Sequence, residues 1–248
     1  MIATSTVERG PSPAVHLEER TIGGLHDFLL STILPRYAIR RGRAVDLGAG
    51  SGALAVRLRE LGFDVLAVDN NSERFRADVP FHKLDLNESG FETRLGPGSF
   101  DLVVSVEVIE HLENPIAFLR GVGRLLTSSG IAIITTPNVE SAPARVKFLL
   151  RGKLRMMDEK CDQTHISPIL GHLLTRQYLP LAGLKLIGHH LYPPKGYIVT
   201  TRRYAWAFHI LARLMPGNAL LGDNHVLVLQ RDPDKVPAHC GNGATEGS

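Results

Sequence analysis

The chain has 248 residues, of which 44% are hydrophobic and 21% charged, with a formal net charge of +3 and a pI near 9.0. That length carries one α/β domain with a sizeable core, and the charge is too small to point to nucleic acid without a clustered basic patch. The widely separated Cys161 and Cys240 exclude a disulfide framework and a zinc-ligand spacing, no apolar run approaches the ~18 residues of a membrane span, and residues 1–20 lack the apolar centre of a secretory signal, so a cytoplasmic location is expected.

Residues 1–40 read as a lead-in, with a capping helix over Thr21 to Tyr37 that Pro35 closes; His26 within it is either a surface histidine or one facing a cleft. Arg43 to Gly52, RAVDLGAGSG, is a buried strand running into a glycine-rich turn, and Ala53 to Leu61 continues as a helix with Leu54, Leu58 and Leu61 on one face. GAGSGA fits G-x-G-x-x-G/A, the dinucleotide fingerprint, so an oxidoreductase using NAD is one alternative. Asp46, just before the first glycine, weighs against it. A carboxylate repels a pyrophosphate but attracts an ammonium, which favours a zwitterionic amino-acid ligand.

Asp64 to Val68 is a second strand ending in Asp69-Asn70-Asn71. Asp69 lies 21 positions after Gly48, close to the roughly 20 expected of an acid that reaches ribose hydroxyls, although it also suits the cap of a helix over Ser72 to Ala77. Pro80 to Leu86 reads as a short third strand with Asp85 near its carboxyl end, placed to accept from an adenine amino group. Phe100 to Val106 is the fourth strand, Pro115 opens a helix to Leu126, and Gly130 to Thr136 is the fifth strand. The alternation predicts a doubly wound parallel sheet with helices on both faces.

VDLGAGSG, AVDNN, LDLNE, FDLVVSVEVIEHLENP and SGIAIITTPN stand in one order between residues 45 and 138. In these segments the chain resembles the class I S-adenosylmethionine-dependent methyltransferases, over about residues 40 to 140. The resemblance implies a Rossmann-like, seven-stranded, mostly parallel sheet whose last strand is antiparallel, with Leu184 to Leu191 and His225 to Gln230 as the final two strands. It implies that Asp46 with the turn Gly48, Ala49, Gly50, Ser51 and Gly52 meets the methionine end of the cofactor. Asp69 and Asn70 would meet the ribose, Asp85 and Leu86 the adenine, and Ser105, Val106 and Glu107 the cleft beside the sulfonium. EVIEHLENP followed by TTPN is similar both to small-molecule O-methyltransferases of ubiquinone synthesis and to enzymes that 2′-O-methylate RNA 3′ ends. The second likeness implies a divalent metal on Glu107, Glu110, His111 and His165; the first implies no metal, with His111 or His165 as base. A binding module without catalysis is a further alternative.

The methyltransferase domain is thus expected over 41–231, with insertions at about 139–166 and 193–222 and a disordered tail over 232–248. Val139 to Leu150 reads as helical, and Ser167 to Leu181 as a helix capped by Ser167, with Pro168 first and Gly183 ending it. Tyr197 to Met215 mixes aromatics, aliphatics and arginines as an amphipathic helix does, suited to peripheral membrane contact or a homodimer face. A small-molecule acceptor is expected, rather than nucleic acid.

Overall fold

The computed structural model describes residues 17–39, 41–159, 161–200, 202–217 and 220–235, and in its last long helix the side chains from Ala205 onward. Seven strands form one sheet: β1 (Gly42–Leu47), β2 (Phe63–Asp69), β3 (Phe81–Lys83), β4 (Phe100–Val106), β5 (Leu126–Pro137), β6 (Leu184–Tyr192) and β7 (Asn224–Arg231). Their order is β3-β2-β1-β4-β5-β7-β6, and β7 alone runs antiparallel to both its neighbours. The expected fold class holds, including the direction of the last strand.

Strands buried on both faces read as continuous apolar runs, and alternate residues feed two cores. Val45, Leu47, Val103, Ile134 and Leu227 pack on one side, beneath α4 (Pro115–Leu125) and α7 (Leu179–Ala182). Ala44, Val65, Leu102, Val104 and Val226 pack on the other, against α3 (Ala53–Glu60) and the lead-in helix. That lead-in runs from α1 (Leu25–Phe28) through a π-helical turn (Leu29–Ile33) into α2 (Leu34–Arg36). Asn114 caps α4, its side-chain oxygen accepting from the Ala117 amide at 3.0 Å, with Pro115 in the first turn as expected.

Several local expectations are corrected. Residues 72–74 form a turn and 75–77 are irregular, where a helix is expected. The Asn71 side chain takes the Glu73 amide at 3.0 Å, and Phe75 stacks on Phe81 with ring centroids 4.3 Å apart. β3 is three residues long, not seven, and β5 begins four residues earlier than Gly130. Ser167 caps nothing: its amide donates to the Glu110 carbonyl at 2.9 Å and its hydroxyl to the Leu112 carbonyl at 2.6 Å. The helix instead starts at α6 (Gly171–Leu173), where the Glu140 carboxylate takes the Gly171 amide, and Gly183 does end it after α7.

The segments expected as insertions contain α5 (Ala142–Arg151) and α8 (Arg202–Leu214), which pack side by side. A buried ion pair ties both insertions to β7. Arg155 meets Asp223 at 2.7 Å and the Thr200 hydroxyl at 3.0 Å, while the second Asp223 oxygen takes the Ile198 and Val199 amides. Residues 233–235 form a short helical turn, and the rest of the expected tail, with Cys240, lies outside the described residues.

Candidate functional site

Ligand clefts in open α/β sheets form beyond the carboxyl ends of the parallel strands, where the order reverses; here that point lies between β1 and β4. β1 brings Asp46 there, and the glycine turn follows. Gly52, at φ +90°, has no room for a side chain: a Cβ would come within 2.3 Å of Ala77 Cβ. Gly50, at φ +56°, differs, because a Cβ there would meet no protein atom within 4 Å. Gly52 is therefore demanded by packing, whereas Gly50 leaves open space over the turn. Its amide is fixed by the Asp69 carboxylate at 2.9 Å.

An open cleft lies over this turn, lined by Asp46, Gly48 to Ser51, Ala53, Leu54 and Val106, with Glu18, Arg20, Thr21 and His26 on the outer wall. Asp46 is the electrostatic centre. It is 2% exposed, and its Oδ2 has no hydrogen-bond partner among the described residues. Burial, reinforced by the Asp69 charge and eased by the Ala55 amide, raises its pKa to about 7. A buried carboxylate left with an unused oxygen calls for a cationic or donor group.

Of the outer wall, the sequence offers only His26, as a histidine that could face a cleft. Ser51 Oγ donates to the Glu18 carbonyl at 2.8 Å, Arg57 pairs with Glu19 at 3.1 Å, and Arg20 reaches Asp162 at 3.8 Å. Residues 17–24 thereby strap across the turn. His26 is not a surface residue: it is 6% exposed, 3.4 Å from Glu19, and burial holds its pKa below the ordinary value. A polar run of mixed composition carries no periodic signal from which this strap could be read.

The other expected cofactor positions stand at neighbouring strand ends. Asp69 closes β2, its two oxygens taking the Gly50 amide and, at 2.8 Å, the Asn71 amide. It braces the turn and keeps lone pairs for further donors. Asn70 beside it is exposed. Asp85 is half-buried two residues beyond β3, with one oxygen on the Asn87 amide at 2.9 Å, and Leu86 beside it is buried. Ser105 is fully buried, its hydroxyl without a partner among the described residues.

Glu107 has φ +53°, a left-handed conformation that a non-glycine residue enters at a cost of roughly 1–3 kcal/mol. Its amide is held by the Thr135 carbonyl and hydroxyl, and its carboxylate takes Asn224 Nδ2 at 2.7 Å and the Ile22 amide at 3.3 Å. These bonds direct Glu107 away from the other three members of the four-residue metal set. Glu107 also lies outside the short helical turn, Ile109–His111, that carries Glu110 and His111.

Glu110, His111 and His165 do converge, one donor atom from each lying within 4.8 Å of the others. Glu110 is fully buried; Oε2 accepts from the Thr136 hydroxyl at 3.1 Å, Oε1 has no partner among the described residues, and burial raises its pKa to about 8. The two rings meet edge to face at 4.6 Å. Their protons follow from their partners. His165 Nδ1 lies 2.7 Å from the Met156 carbonyl, which can only accept, so Nδ1 carries the hydrogen. Thr164 gives its hydroxyl hydrogen to Asp162 at 2.6 Å and so accepts from His111 Nδ1 at 2.7 Å. Both Nε2 atoms are left with lone pairs. Burial, then the neighbouring His165, holds the His111 pKa below its ordinary value, so the ring is neutral at pH 7.

Residues 17–188 match a family model described as a methyltransferase domain. Among curated proteins, a ubiquinone biosynthesis O-methyltransferase of Caulobacter sp. (strain K31) is 33% identical over 103 residues, covering 39% of this chain and 41% of the relative. One from Xanthomonas campestris pv. campestris is 29% identical over 128 residues, covering 48% of this chain and 53% of the relative. The chain spans about half the length of these curated relatives. Two solved structures share the fold. A SAM-dependent methyltransferase from Archaeoglobus fulgidus has a TM-score of 0.54 at 19% identity, covering 82% of this chain and 93% of its own. The 1,6-didemethyltoxoflavin-N1-methyltransferase of Burkholderia thailandensis, solved with S-adenosylhomocysteine, has a TM-score of 0.54 at 16% identity, covering 84% and 79%.

Proposed function

Because the chain belongs to the methyltransferase-domain family and is a class I S-adenosylmethionine-dependent methyltransferase, we propose that it methylates a hydroxyl oxygen of a small-molecule acceptor, with His111 as the base. The observation that carries the cofactor's position is Asp46 Oδ2, buried and unpartnered under the open space at Gly50. That oxygen fits the ammonium of an amino-acid moiety and opposes the pyrophosphate of a dinucleotide, which speaks against the NAD alternative. The backbone of Gly48 to Gly52 would hold the rest of the methionine end, Asp69 and Asn70 the ribose, Asp85 and Leu86 the adenine, and Ser105, Val106 and Glu107 would line the cleft beside the sulfonium.

When bound, the cofactor supplies a methyl group on a positively charged sulfonium, so the protein has to align the acceptor oxygen and take its proton. His111 is suited to the second task. Its Nε2 lone pair is open, its Nδ1–H donates to the Thr164 hydroxyl oxygen, and the Asp162 carboxylate behind Thr164 offsets the positive charge the ring acquires. His165 stands as the second candidate base, oriented by the Met156 carbonyl. The experiment is transfer of a labelled methyl group to a panel of phenols and alcohols. His111→Gln should lower kcat at least ~100-fold with cofactor affinity unchanged, and an unaltered kcat would remove His111 from this role.

A second reading has one specific observation behind it. Two Nε2 lone pairs and an unpartnered carboxylate oxygen facing one another suit a divalent cation, with the Nδ1 bonds orienting both rings. The RNA 2′-O-methyltransferase alternative depends on such a cation. Full activity after exhaustive chelation, with no label entering RNA, would eliminate it.

A further inference from the structure

The chain is electrically polarised along its sequence. Residues 141–222 contain 12 Lys and Arg against 3 Asp and Glu, whereas the remainder carries 16 against 22. Not one Asp or Glu stands between Asp162 and Asp223. Both insertion helices lie in this basic part, and both present large apolar side chains to solvent.

At the carboxyl end of α5, Phe148, Leu149 and Leu150 are 55, 83 and 75% exposed. On α8, Trp206, Ile210 and Leu214 are 66, 54 and 77% exposed, and their spacing of four places them on one stripe. Arg151 follows the first group and Arg213 flanks the second; both are exposed, with no ion pair among the described residues. Arg145 of α5 holds the segment that follows α8, donating to the Pro216 carbonyl at 2.7 Å. An α-helix that covers a core turns its apolar stripe inward. Here apolar tips and arginines point outward together, on two adjacent helices.

We infer that α5 and α8 form a docking face for an anionic phospholipid surface, with Leu149, Leu150, Trp206 and Leu214 entering the headgroup boundary and Arg151 and Arg213 meeting lipid phosphates. Two features select this occupant. Apolar side chains interleaved with arginine match a layered interface in which apolar and anionic groups lie a few ångströms apart. Self-association through the same face would bring Arg151 and Arg213 of two copies together, which like-charge repulsion disfavours. Among the described residues no helix is long and apolar enough to cross a membrane, so attachment through this face is peripheral. The inference concerns a binding surface and does not depend on the methyl-transfer reading.

Trp206 is the only tryptophan in the chain, so its fluorescence reports this face alone. The full chain is mixed with vesicles of phosphatidylcholine, with and without phosphatidylglycerol. The inference predicts sedimentation with the anionic vesicles, a blue-shifted emission and quenching by lipids brominated on the upper acyl chain. It also predicts at least ~10-fold weaker binding to phosphatidylcholine alone or in high salt. Arg151→Gln with Arg213→Gln should weaken binding about 10-fold or more, and Leu149→Glu with Leu150→Glu should abolish the quenching; circular dichroism and cofactor titration confirm the fold of each. Should a variant fail to fold, bromolipid quenching of wild-type Trp206 decides alone. Emission unchanged by anionic vesicles, or a concentration-dependent dimer that Leu149→Glu disperses, would overturn the inference.

Discussion

Replacing Asp46 by Asn tests the electrostatic centre of the cleft and can be worked through in numbers. The carboxyl ordinarily titrates at 3.8 and is raised to about 7 in the fold, by burial first and the Asp69 charge second. A group raised by about three units disfavours its ionised form by roughly 4 kcal/mol. The sign follows from the proton count. Below pH 3.8 the carboxyl is protonated in both folded and unfolded chains and no penalty exists. Between pH 3.8 and 7 the unfolded chain ionises first, so the ligand-free protein loses stability as pH rises. Above pH 7 the penalty is constant. An ammonium placed beside Asp46 reverses this, since it binds the ionised form and expels the proton. Between pH 5.5 and 7 the ionised fraction rises about 16-fold, so the Kd for S-adenosylmethionine should fall by about that factor. Titration calorimetry at pH 6, in two buffers of different ionisation enthalpy, should record release of nearly one proton per site. Asp46→Asn should bind at least ~10-fold more weakly at pH 7, show no such pH dependence, and melt higher than wild type without ligand. Wild-type affinity that ignores pH, without proton release, would refute the reasoning.

Gly50→Ala adds a methyl that meets no protein atom but enters the cleft, at φ +56°. It should cost about 1 kcal/mol of stability while raising the cofactor Kd ~10-fold or more, and calorimetry with a thermal melt separates the two effects. Gly48→Ala should destabilise far more, because its Cβ would come within 2.3 Å of Val108 Cγ2, and Val108→Ala in the same chain should recover part of the melting temperature. Arg155→Met leaves Asp223 charged and buried, so it should lose about 3 kcal/mol or more in denaturant unfolding. Breaking an exposed pair such as Lys153 with Glu159 should leave the unfolding midpoint in the same assay essentially unchanged.

The frame of the fold is legible in sequence because buried strands announce themselves. VVSV in β4 and VLVL in β7 have no polar face to disguise them, and Gly48, Gly50 and Gly52 mark a turn that few other residues could make. Asp46, Asp69 and Asp85 stand out as candidates because each lies at or just beyond the carboxyl end of a strand. What stayed hidden depends on partners distant in sequence. Glu107 is withdrawn from the Glu110, His111 and His165 cluster by Asn224 and Ile22, which are 117 and 85 positions away. His26 became part of the cleft wall only because residues 17–24 strap over Ser51. Ser167 has the look of a helix cap in isolation, but the Leu112 carbonyl offers its hydroxyl a partner that no local pattern reveals. Residues 72–77 went the same way: Phe75 prefers the ring of Phe81 to a turn of helix.

A crystal structure of the full chain with S-adenosylhomocysteine bears most directly on the cleft assignment. The account predicts its amino nitrogen against Asp46 Oδ2, its ribose at Asp69 and its adenine beside Asp85 and Leu86. Density for the ligand elsewhere on the protein, with Asp46 Oδ2 still unpartnered, would contradict it.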